Sequence, residues 1–144
     1  MKIRITRTSE QAILPAYATP GSVAFDISSV DHVVIPPKEM RNVKTGLIIA
    51  TPPGYVLLIS ARSSLFHKKG LMLANNIGII DQDFCGPEDE IRLPLWNPGD
   101  VEVTVSIGER LVQGQFIKVD RAEWEEGPAV GPSRGGLGST HGYQ

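Results

Sequence analysis

Two short segments hold the residues best suited to chemistry. In Asn75-Asn76-Ile77-Gly78-Ile79-Ile80-Asp81-Gln82-Asp83-Phe84 a carboxylate, Asp81, follows an apolar, β-branched run that reads as buried strand. An ionisable group there costs free energy unless something needs it, which makes Asp81 a candidate general base. Upstream, Ala61-Arg62-Ser63-Ser64-Leu65 sets a permanent cation before two hydroxyls, groups that hold phosphate oxygens by charge-assisted hydrogen bonds. A base and an anion clamp are therefore expected, provided the fold brings them to one ligand.

The elements that must position them are strands. Arg4 to Thr6, Val23 to Ile27, His32 to Ile35, Val43 to Ala50, Tyr55 to Ser60, Ile91 to Trp96, Val101 to Ser106 and Leu111 to Val119 are rich in Val, Ile, Leu and Thr. Turn residues separate them at Pro20-Gly21, Pro36-Pro37, Pro52-Pro53-Gly54 and Pro98-Gly99, and no long window carries a helical stripe. The pattern predicts an all-β domain, a jelly-roll-like or distorted-barrel sandwich. One short helix is expected, capped by Ser63 or Ser64 and ended by Gly70. Pro94 cannot donate to a ladder, so its strand should lie at an edge, at a bulge, or with the missing N–H facing outward.

Composition excludes several function classes. At 144 residues the chain suits one domain with a real core and no need of disulfide staples. A formal net charge of −2 offers no basic stripe for a nucleic-acid backbone, so a phosphorylated ligand must be held by a few placed groups. His32, His67 and His141 are scattered, and no His/Cys/Asp/Glu cluster has metal-cage spacing. The single cysteine, Cys85, reads as a small apolar filler in a reducing compartment. Met1 to Arg7 alternates charge and apolarity, unlike a signal peptide, and the longest apolar stretch is broken by Thr51-Pro52-Pro53-Gly54. A soluble, cytoplasmic protein is expected.

Residues 1–124 are read as the β domain and residues 125–144 as a Gly/Pro-rich tail with little to bury. The tail reads either as a disordered terminus or as a lid, in which Arg134, Leu137, Gly138, Ser139 and Thr140 fold over an anionic ligand.

Five motifs in order resemble those of the homotrimeric dUTP diphosphatases (dUTPases). They are Val23-Ala24-Phe25-Asp26-Ile27, Ala61-Arg62-Ser63-Ser64-Leu65, Asn75 through Gly86, Gly108-Glu109-Arg110-Leu111-Val112-Gln113, and Arg134 through Gly142. The resemblance implies that Asp81 activates the water that attacks the α-phosphorus of dUTP, giving dUMP and diphosphate. It implies that Asn75, with main-chain groups at Gly78 and Ile80, reads uracil, and that Phe84, where the family usually has Tyr, packs on the deoxyribose. Arg62, Ser63, Ser64 and Gln113 would contact the phosphates, and Arg134, Leu137, Gly138 and Ser139 would close the tail over the nucleotide. The implied cofactor is Mg²⁺ carried on the triphosphate, with Asp26 near it through water and no direct protein ligand. The implied assembly is a homotrimer with shared active sites, and neither nucleic acid nor membrane is a partner.

The chain differs from the family pattern in places. Leu137 stands where many members carry an aromatic, Cys85 stands where Arg is common, and Pro87-Glu88-Asp89 reads as an insertion between Gly86 and Glu90. Two alternatives follow from the sequence. One is a catalytically silent nucleotide-binding relative. The other, weaker, is a dCTP deaminase, whose chemistry needs a glutamate on the strand that here reads Ile91-Arg92-Leu93-Pro94-Leu95-Trp96.

Overall fold

The fold was established from a computed structural model, which describes residues 1–136. Chain order is β1 (Ile5–Arg7), β2 (Ala16–Tyr17), β3 (Phe25–Ser28), β4 (Val33–Ile35), β5 (Met40–Lys44), β6 (Leu47–Ile49), β7 (Tyr55–Ala61), α1 (Ser64–Lys69), β8 (Met72–Leu73), β9 (Ile77–Ile80), β10 (Arg92–Trp96), β11 (Val103–Val105) and β12 (Arg110–Lys118). The all-β expectation holds, with one six-residue helix among the described residues. Every pairing is antiparallel. The largest sheet runs β2-β3-β12-β7-β9, beside a three-stranded sheet β5-β10-β8 and the pairs β1-β6 and β4-β11. No helix among the described residues is long and apolar enough to cross a membrane.

The core is aliphatic: Ile27, Ile35, Leu47, Leu57, Leu71, Leu93, Leu95 and Leu111 are all fully buried. The alternation on β10, with Leu93 and Leu95 inward and Arg92 and Trp96 outward, is the two-residue period that aims side chains to opposite faces. At its centre, β12 carries Gly114 directly against Phe25, where an added Cβ would come within 2.6 Å of the ring. Glycine there lets the β3 aromatic pack on Phe116 and under Tyr17.

Several boundaries differ from the sequence reading for physical reasons. The run Val43 to Ala50 is two strands, because Gly46 turns with φ +67 and its N–H is taken by Glu90 Oε1 at 2.8 Å. A side chain there would meet Ala12 Cβ at 2.8 Å. Pro94 sits in a central strand rather than at an edge, yet its missing donor faces the side where β8 ends after two residues. Its carbonyl accepts from the Ala74 N–H at 2.8 Å, and both backbone groups of one antiparallel residue point the same way. Ser63 takes the N-cap position and Gly70, with φ +67, the C-cap position as expected, but the Ser63 hydroxyl makes no capping hydrogen bond.

The run before Asp81 is not a buried strand. It forms β9, the edge of the largest sheet, with Ile77 51% and Ile79 65% exposed. Cys85 is likewise exposed rather than an apolar filler. An edge strand bearing outward isoleucines is a surface that a single chain leaves unsatisfied.

Candidate active site

Antiparallel register around β12 draws three motifs together. Gln113 lies opposite Asp26 on β3 and opposite Ser60 on β7, and its Nε2 donates to Ser60 Oγ at 3.4 Å. Beyond the end of β7 the backbone pairing continues, with Arg62 N–H on Leu111 O at 3.2 Å. That continuation sets the Arg62 guanidinium beside Asp26: Nε donates to Oδ1 at 2.9 Å and Nη1 reaches the Arg110 carbonyl at 3.2 Å. Arg110 in turn donates from Nη1 to Asp26 Oδ2 at 3.0 Å. One half-buried carboxylate therefore holds two guanidinium groups, one on each oxygen, and fixes Arg62 in one orientation. The bridging role of Arg110 was not legible in the sequence, because only the β3–β12 register places it against Asp26.

Next to this arginine pair is an open recess of about 290 Å³. Arg62, Arg110, Lys68, Lys69 and Ser64 line it, with Glu109 as its carboxylate. Lys69 Nζ is partly neutralised by Glu109 at 3.0 Å and also donates to the Thr104 carbonyl at 2.6 Å. Counting Asp26 behind the two arginines, four cations against two carboxylates leave an excess of positive charge suited to a phosphate-sized anion. Ser63 stands at the start of the helix that supplies Ser64 and both lysines.

The other half of the site lies along β9. Asn75, Gly78 and Ile80 line one small cavity of about 100 Å³, walled by Ile59, Leu73 and the β10 residues Arg92 to Pro94. Gly78 keeps it open, since a Cβ there would stand 3.3 Å from Ile59 Cβ and 3.8 Å from the Asn75 amide nitrogen. None of its lining residues is a carboxylate. Past the strand end, Gln82 Nε2 donates to the Tyr55 carbonyl at 3.1 Å and anchors the turn that carries Asp81, Asp83 and Phe84. Asp81 and Asp83 border a separate, larger cavity with Tyr55 and Arg121. Asp81 itself is exposed in the chain, so the burial expected of a base in an apolar hairpin is absent here.

Residues 10–140 match the family model for dUTPase. The chain belongs to the dUTPase family. Among curated relatives, the deoxyuridine 5'-triphosphate nucleotidohydrolase of Shewanella woodyi is 38% identical over 128 residues, 87% of this chain and 82% of its own length. That of Helicobacter pylori is 35% identical over 143 residues, 97% of each chain. A solved dUTPase from Streptococcus mutans superposes with a TM-score of 0.78 at 29% identity, covering 86% of this chain and all of that one.

Against the family's motifs, this dUTPase-family chain separates its candidate residues into two groups. Asp26, Arg62, Ser63, Ser64 and Gln113 gather around the basic recess, while Asn75, Gly78, Ile80, Asp81 and Phe84 lie on or just beyond β9. The pairing of Leu57 with Ile80 puts Asp81 level with Val56, six residues along β7 from Arg62. At about 3.3 Å per residue the two are roughly 20 Å apart. Arg134 lies in residues 121–136, which are exposed and carry neither strand nor helix. Leu137, Gly138 and Ser139 lie outside the described residues.

Proposed function

We infer that this chain is a dUTP diphosphatase, hydrolysing dUTP to dUMP and diphosphate. The observation that carries the reading is the chemistry of the two half-sites at the family's own motif positions. One is a small cavity of mixed polarity that carries the Asn75 amide and is bordered by Arg92; the other is a cationic recess with an oriented arginine. The first suits a pyrimidine and the second a phosphate chain.

In this reading Asp81 takes a proton from water as its oxygen attacks the α-phosphorus. The bond from the α-phosphorus to the oxygen bridging to the β-phosphate breaks, diphosphate leaves, and Asp81 returns its proton to solvent. Arg62, with hydroxyls from Ser63 and Ser64 and the amide of Gln113, holds the phosphate oxygens and offsets the charge that shifts onto the leaving group. Phe84 packs on the sugar, and Arg134 reaches toward the phosphates. Among the described residues no group of three His, Cys, Asp or Glu side chains could hold a metal ion. Mg²⁺ would come with the substrate, on the triphosphate and largely water-bound. Asp26, whose two oxygens each accept from an arginine, would face that ion through water.

The complete site is shared between chains of a trimer. Roughly 20 Å of strand separates Asp81 from Arg62 within one chain, too far for both to touch one triphosphate. Completion therefore needs the β9 edge of one copy against the basic recess of another. Such docking also covers the exposed Ile77 and Ile79 and gives Asp81 the burial it lacks alone. The deaminase alternative is disfavoured by the base cavity, where Pro94 stands on the strand that would need a glutamate.

The direct test is diphosphate release from dUTP, dTTP, dCTP and UTP. Release from dUTP well above the other three supports the reading. Tight dUTP binding without release selects the silent relative, and ammonia from dCTP selects the deaminase.

A further inference from the structure

Among the described residues, Arg92 is the one charged side chain lining the small cavity that Asn75, Gly78 and Ile80 border. It lies on the outward face of β10, beyond the level at which β8 pairs with that strand. Its ion pair with Glu90 is long, 3.9 Å from Nε, and the nearer claim on Glu90 belongs to the Gly46 N–H at 2.8 Å. The side chain is 56% exposed. A guanidinium with weakly engaged donors thus stands at the wall of a cavity whose other residues are neutral.

Guanidinium has five N–H donors and no acceptor. Next to a pyrimidine it can bond a ring carbonyl but only oppose an exocyclic amine, which presents donors of its own. We propose that Arg92 is a specificity-determining residue of this chain, donating to the C4 carbonyl of uracil and thereby discriminating against cytosine. The inference rests on the reading of the site as a uracil pocket. It adds a cationic side chain to a reader otherwise made of main-chain groups and one amide. A site built to bond a carbonyl loses affinity for the analogue that lacks it, because its donors are then left unpaired.

The test compares wild type with Arg92→Met and Arg92→Lys, using kcat/KM for dUTP and the inhibition constants of dUMP and dCMP. Arg92→Met keeps length and an exposed position, and far-ultraviolet circular dichroism checks its fold. The expected result is a loss of about 10-fold in kcat/KM for dUTP, carried mainly by KM. The preference for dUMP over dCMP should shrink by a similar factor, and Arg92→Lys should restore part of it. Equal losses for the uracil and cytosine nucleotides, or no change in either, would overturn the proposal. Failure of wild type to hydrolyse dUTP would sink the reading of the site itself, whereas a working wild type with an unaltered Arg92→Met variant would sink only the role of Arg92.

Discussion

Replacing Asp26 by Asn tests whether one carboxylate organises the phosphate side of the site. Asn keeps one oxygen but turns the other position into an NH₂ donor, aimed at a guanidinium that is also a donor. The Arg62 contact is the more sheltered of the two, with side-chain exposures of 28% and 14%, and a charge-assisted bond of that kind contributes about 1.5 kcal/mol. Arg110 is more than half exposed, so solvent screening limits its share to about 0.5 kcal/mol. The sum is about 2 kcal/mol. With 144 residues and about 2.1 cal/mol/K of unfolding entropy per residue, each kcal/mol moves the melting midpoint by roughly 3 °C. Differential scanning calorimetry of Asp26→Asn should therefore show a fall of about 6 °C, with Asp26→Glu falling less because it keeps the charge. Since Arg62 also loses its orientation, kcat should fall more than KM rises. An unchanged midpoint together with unchanged kcat would refute the idea that Asp26 fixes Arg62.

Other outcomes follow from the same geometry. Asp81→Asn should lower kcat by about 10² or more while dUTP binding persists, checked by single-turnover kinetics and calorimetric titration. Gly78→Ala should raise KM several-fold with little loss of stability, because the added methyl narrows the base cavity against Ile59 and the Asn75 amide. Deleting all residues after Gly127 should cut kcat/KM strongly through loss of Arg134 and the tail hydroxyls, with the melting midpoint almost unmoved, since residues 128–136 are all exposed.

Most strands of this protein were legible because β-branched runs alternate with Pro and Gly turns, and even the short helix between Ser63 and Gly70 announced itself; the two-residue strands β2 and β8 were not, having no run of their own. Where the reading failed, the missing information was tertiary. Gly46 splits a strand because Glu90 from a distant segment takes its N–H, and nothing local marks that partner. For Pro94 the sequence left three placements open, and only the shortness of β8 decides for a central strand whose missing N–H faces the side where that strand ends. The apolar run before Asp81 looked buried, yet the topology leaves β9 as a sheet edge, an outcome that composition cannot distinguish from a core strand. Motif resemblance named Asp26, Arg62 and Gln113 individually. Only the β3-β12-β7 register shows that they meet and that Arg110 joins them.

The claim that most needs testing is that Asp81 of one copy serves the Arg62 of another. Mixing Asp81→Asn with Arg62→Gln chains under conditions that exchange subunits tests it directly, with native mass spectrometry confirming mixed assemblies. If a site draws the two residues from different chains, random mixing at equal amounts makes roughly one site in four fully wild type. Diphosphate release from dUTP should then rise from near zero in either parent to about a quarter of the wild-type rate. Confirmed mixed assemblies that stay as inactive as their parents would contradict the account, because they would place Asp81 and Arg62 of the same chain in one site.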